Sequence, residues 1–126
     1  MNTEVWDRVA KPSSVNPERS YRWKFPDLGV ELSVTAFWGA YCTPRMDLPL
    51  KAYAAVEIAV LREEAFVTPS EVDASLVEFD GLWGGDDVAG YVPVLTVVEL
   101  IALLTSLEDS RKNPKKRVYG GDVVKE

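Results

Sequence analysis

A chain of 126 residues with net charge −6, 47% hydrophobic and 27% charged, has the size of one domain and enough apolar material for a core. Its single cysteine, Cys42, excludes an internal disulfide, and the absence of histidine removes the usual general base and the commonest metal ligand. Serine and cysteine triads, ordinary zinc sites and facial-triad iron sites are thereby excluded in their common forms.

Residues 1–20 are polar, contain Pro12 and Pro17, and read as an extended arm in which Val5, Trp6 and Val9 can dock as a short turn. They contain no apolar run of the kind a secretion leader needs. A β-hairpin follows. Tyr21, Trp23 and Phe25 alternate with Arg22 and Lys24, and Val30, Leu32, Val34, Ala36 and Trp38 alternate with Glu31, Ser33, Thr35 and Phe37. A period of two assigns the first set of each strand to a buried face and Phe37 to the outside. Pro26, Asp27, Leu28 and Gly29 form the turn, with Gly29 in a left-handed position, and the pairing sets Lys24 near Glu31. Residues 39–49, broken by Gly39, Pro44 and Pro49, are a loop.

Over residues 52–61, alanines at 52, 54, 55 and 59 favour helix, whereas Val56, Ile58 and Val60 share one strand parity. The parity decides for a strand, which points Tyr53 away from the core. Arg62, Glu63 and Glu64 read as a turn into a short return strand, 65–67. Thr68, Pro69, Ser70 and Glu71 make a capping box for a helix that ends near Ser75. A short strand is expected over 76–79, then an irregular loop over 80–90, which holds four glycines and three aspartates. Thr96 to Glu99 reads as a second capping box, with Leu95 and Leu100 as a hydrophobic staple. The helix that follows, about 97–109, buries Val97, Leu100, Ile101, Leu103, Leu104 and Leu107. Arg111 and Lys112 suit its negative end, and Asn113 with Pro114 stops it.

The fold expected is therefore α+β: a small, mostly antiparallel sheet, built from the hairpin 20–38, the strand 52–61 and short strands, packed against a C-terminal helix. It divides into an arm (1–20), a domain (21–110) and a basic tail (111–126). The tail holds six basic and two acidic residues, which leaves residues 1–110 with eight basic against eighteen acidic, a net of −10. Phosphates would be repelled by such a body, so nucleic acid is disfavoured as its partner. The apolar stretch 92–104 is too short, and too broken by Pro93, Thr96 and Glu99, to cross a membrane.

Few residues suggest chemistry. Asp80, Asp86 and Asp87 offer oxygen ligands for Mg²⁺ or Ca²⁺, but their spacing matches neither an EF-hand nor a phosphate loop. Glycine and aspartate are common turn formers, so neither a metal nor a cofactor is expected. Cys42 lacks a base and reads as a small buried hydrophobe. Arg45 lies near Tyr41 and Met46 on a proline-punctuated loop, the setting of many interface anchors; the plain alternative is an ion pair with Asp47. Tyr41, Arg45, Trp83, Asp86 and Asp87 are accordingly the candidate binding residues.

The expectation is a cytoplasmic, non-catalytic protein-binding or inhibitor domain. Its size and charge are analogous to those of immunity proteins and of accessory proteins of phages and mobile elements. Its partner would be another protein, basic in charge, because complementary charge speeds encounter. The alternatives are an assembly component forming homo-oligomers, and a carboxylate-based enzyme using Glu57, Asp86, Asp87 and Arg45, with or without Mg²⁺.

Overall fold

A computed structural model of the chain describes residues 20–112. The docking expected of Val5, Trp6 and Val9, the stop at Asn113 and Pro114, and most of the basic tail lie outside them.

The alternating segments form the expected hairpin. Strand β1 (Ser20–Phe25) pairs antiparallel with β2 (Val30–Thr35), placing Trp23 opposite Leu32 and Lys24 opposite Glu31. Gly29 closes the turn at φ 71°, its N–H donating to the Pro26 carbonyl at 3.1 Å. The ion pair is diagonal: Arg22 Nη1, not Lys24, lies 2.9 Å from Glu31 Oε1. Strand β2 ends at Thr35, and Ala40 N–H turns back to the Phe37 carbonyl at 3.0 Å. That turn breaks the parity. Trp38, expected inside, is 60% exposed, while Phe37, expected outside, packs half-buried on the core.

Strand β3 (Ala55–Arg62) confirms the strand reading and is the centre of a five-stranded sheet. On one side it pairs with β2, Leu32 facing Val60 and Val34 facing Ile58. On the other it pairs with β4 (Ala65–Val67) at one end and β5 (Ala89–Pro93) at the other. The turn into β4 holds Glu63 at φ 51° and Glu64 at φ 65°. Both are left-handed without being glycine, at roughly 1–2 kcal/mol each. Tyr53 is buried rather than outward, because it precedes the strand and its hydroxyl closes a loop. That hydroxyl donates to the Met46 carbonyl at 2.6 Å and accepts from Leu48 N–H at 2.8 Å.

Helix α1 (Pro69–Val72) starts as predicted, with Glu71 Oε1 accepting from Thr68 N–H at 2.7 Å and from its hydroxyl at 3.1 Å. The strand expected over 76–79 is instead a 3-10 segment, Ala74–Leu82. Its cause is local: the Asp73 side chain accepts from Ser75 N–H at 3.0 Å and the Asp73 carbonyl from Leu76 N–H at 3.0 Å. The loop placed over 80–90 therefore begins only after Leu82 and ends where β5 begins.

Helix α2 (Val94–Lys112) starts three residues before the expected 97. Val94 N–H donates to the Ala54 carbonyl at 3.1 Å, so the residue just before β3 satisfies the first N–H of the helix and Thr96 falls inside the first turn. The staple fails because Leu95 is exposed, and Leu103 is exposed as well. The buried stripe is Val97, Val98, Leu100, Ile101, Leu104 and Glu108. Glu108 accepts from Asp27 N–H at 2.8 Å, tying the last turns to the hairpin, and Lys112 Nζ lies 3.8 Å from Asp27 Oδ2.

The core lies on one face of the sheet. Trp23, Phe25, Val30, Leu32, Val34, Val56, Ile58 and Val60 meet α2 there, joined by Val72, Leu76 and Trp83. By register, the other face presents Ser20, Arg22, Lys24, Glu31, Ser33, Thr35 and Glu57, exposed or half-exposed, with Ala59 and Leu61 buried among them. Among the described helices, α2 packs on the first face, and this second, more polar face is termed the open face.

Candidate functional site

Glu57 stands on the open face opposite Thr35, and its Oε1 accepts from Tyr41 N–H at 3.1 Å. The loop after β2 is thereby drawn along the start of β3. Thr43 extends the contact: its N–H donates to the Ala55 carbonyl at 2.9 Å, and its carbonyl accepts from Ala54 N–H at 2.8 Å. Between them, Cys42 is buried, its thiol donating to the Phe37 carbonyl at 3.1 Å.

Strand β5 meets this loop from the other side. Tyr91 N–H donates to the Tyr41 carbonyl at 2.8 Å. A Cβ on Gly90 would stand 2.8 Å from the Tyr41 Cβ, so the close approach requires glycine there. The pairing of β3 with β5 shifts register at this point, and Tyr91 sits at φ 55°. A bulky side chain in that region is a genuine outlier. The result is an exposed aromatic pair: the Tyr41 and Tyr91 rings lie 5.9 Å apart at 41° and are 51% and 50% exposed. Arg45 completes it, its Cζ 5.7 Å from the Tyr41 ring centroid. Trp38 and Met46, both exposed, belong to the same loop, which is pinned where Trp38 N–H donates to Asp47 Oδ1 at 2.9 Å.

Of the residues singled out in the sequence, Tyr41 and Arg45 are thus brought together. Asp47 is engaged by Trp38, and among the described residues Arg45 makes no ion pair. Trp83 is 3% exposed, and its indole N–H donates to the Asp87 carbonyl at 3.2 Å. It packs in the core and anchors the loop that carries the exposed Asp86 and Asp87. Asp80 accepts from the Ser70 N–H at 3.0 Å and from the Ser70 hydroxyl, tying the 3-10 segment to α1. No three histidine, cysteine, aspartate or glutamate side chains gather as metal ligands among the described residues. Tyr91 and Gly90 were not singled out, and their signal was faint: a glycine followed by an aromatic where a loop enters a strand.

A shallow depression of about 230 Å³ lies at the opposite end of the open face, lined by Lys24, Gly29, Glu31, Leu61, Glu63 and Glu64 among others. No described helix is long and apolar enough to cross a membrane. No family model matches the chain, and searches of curated proteins and of solved structures return no significant match.

Proposed function

We propose that this chain is a non-catalytic binding module that covers a surface of another protein. Its contact surface is the end of the open sheet face where Tyr41, Arg45 and Tyr91 meet. The observation that carries the reading is Tyr91, a half-exposed aromatic held at φ 55° in a strand. Such strain costs about 1–3 kcal/mol and concentrates at working surfaces. Glycine would relieve it, yet the position holds a residue type enriched in interface hot spots. The ring rests on a rigid sheet, which keeps the entropy cost of binding low.

The charge supports a basic partner: residues 20–112 hold fifteen acidic side chains against seven basic ones. The test is affinity capture from the native host by the full chain and by the Tyr41→Ala and Tyr91→Ala variants, each first verified as folded by circular dichroism. The reading expects a protein captured by the native chain and lost from both variants. Identical capture by all three would refute it.

A second reading, self-association, draws on Leu95 and Leu103, which project outward from α2 at 56% and 40% exposure. Light scattering at high concentration decides it: a strict monomer removes this reading.

A further inference from the structure

We propose that the exposed pair of Tyr41 and Tyr91, with Glu57 bonded to the Tyr41 backbone, receives a cationic side chain, an arginine or lysine, from the partner protein, and that Arg45 is its intramolecular stand-in. The proposal rests on the binding reading and names the chemistry of the partner's anchor.

Three observations carry it. First, the site already holds a cation against an aromatic ring. Arg45 is exposed, and although residues 20–112 hold fifteen carboxylates, it lies over Tyr41 at 5.7 Å rather than in an ion pair. A guanidinium within about 6 Å of a ring centroid is in the range of cation–π attraction. Such an exposed contact is weak, so a partner's cation can displace it.

Second, a second ring stands ready. Tyr91 lies 5.9 Å from Tyr41 at 41°, and both rings are about half exposed, so a second π face adjoins the one that Arg45 meets. Exposed aromatic faces are a common means of recognising cations. Third, a carboxylate is tied to the Tyr41 backbone. Glu57 uses Oε1 to hold Tyr41 N–H, while its Oε2 makes no hydrogen bond or ion pair among the described residues. The negative body draws the cation in, the rings orient it, and the carboxylate neutralises it.

The test titrates the full chain with a tetra-arginine peptide and follows the tyrosine ring and Arg45 side-chain signals by NMR, in parallel with a tetra-glutamate control. Saturable shifts are expected at Tyr41, Tyr91 and Arg45, and none with the control. Tyr91→Phe keeps the π face and should bind like the native chain. Tyr91→Ala and Tyr41→Leu should each bind roughly two- to fivefold more weakly, the size of one exposed cation–π contact. Circular dichroism of each variant under the titration conditions separates a loss of binding from a loss of fold. The proposal is overturned if the peptide binds all variants equally, or if its shifts scatter over the carboxylates and leave the tyrosines unmoved. Should host capture still depend on Tyr91 in that event, the binding reading stands and only the cation assignment falls. Should capture be indifferent to both tyrosines, the binding reading itself falls.

Discussion

Replacing Tyr91 by glycine and, separately, by alanine gives two variants whose order of stability reports on the strain directly. In an ordinary strand, glycine is less stable than alanine by about 0.5–1 kcal/mol, because it loses more freedom on folding. At φ 55° the order inverts. Alanine keeps the left-handed penalty of roughly 1–2 kcal/mol, whereas glycine does not. Both lose the ring pair with Tyr41, whose centroids are 5.9 Å apart, a contact worth about 0.5–1.5 kcal/mol. Tyr91→Gly should therefore match the native chain to within about 1 kcal/mol, and Tyr91→Ala should fall about 1 kcal/mol below Tyr91→Gly. Urea unfolding of the full chain measures the difference, and a melting curve should separate the two by about 4–8 °C. If alanine is the more stable of the two, Tyr91 is not held left-handed and the argument built on its strain is wrong.

Other substitutions probe the frame that supports the site. Glu63→Asn with Glu64→Gly gives the β3–β4 turn the residues that a two-residue turn with both φ positive prefers, and should raise stability by about 1–2 kcal/mol in urea unfolding. The Glu64 contact to Arg22, at 3.7 Å on an exposed side chain, is too weak to offset the gain. Tyr53→Phe deprives the Met46 carbonyl and Leu48 N–H of their partner and should cost about 2 kcal/mol, with amide exchange quickening first in the loop before Tyr53. Burial pushes the Tyr53 phenol above its ordinary value near 10, with the bond from Leu48 N–H partly opposing it. Its contribution is thus complete below pH 10 and declines as pH rises through the folded-state value; Tyr53→Phe should flatten that alkaline decline. Glu108→Ala removes the acceptor for Asp27 N–H and should cost about 1.5–3 kcal/mol, while Glu108→Gln should cost less.

The sheet was legible where one face is buried and pairing is local. Tyr21 to Phe25 and Val30 to Thr35 announce their strands by alternation, and Pro26 to Gly29 announce the turn. The β3 segment was also legible, because β-branched residues on one parity outweigh alanines once neighbouring strands supply the hydrogen bonds. The errors have a common origin in contacts made at a distance. Trp38 faces outward because the chain turns at Phe37, and Tyr53 faces inward because its hydroxyl finds the Met46 and Leu48 backbone. Helix α2 begins at Val94 because the Ala54 carbonyl takes its first N–H, a partner forty residues earlier that no capping rule anticipates. Glu108, invisible as a core residue, is buried because the hairpin turn supplies it with a donor.

The candidate site was half legible for the same reason. Tyr41 and Arg45 are close in sequence, and their types alone suggested an anchor. Tyr91 is fifty residues away and reaches them through a bulge and a glycine contact that exist only in three dimensions. Trp83, chosen as a loop aromatic, is drawn into the core instead.

The claim that the Tyr41–Tyr91 end is the working surface is tested most directly by placing a photo-crosslinking residue at position 91 and, as a control, at Val77. That residue is exposed at 58% on the 3-10 segment, so it is at least as accessible. In native host extract, position 91 should give a discrete crosslink to another protein that disappears when Tyr41 is replaced by alanine, and position 77 should give none. Equal crosslinking from both positions, or crosslinks from 91 that survive that replacement, would contradict the account.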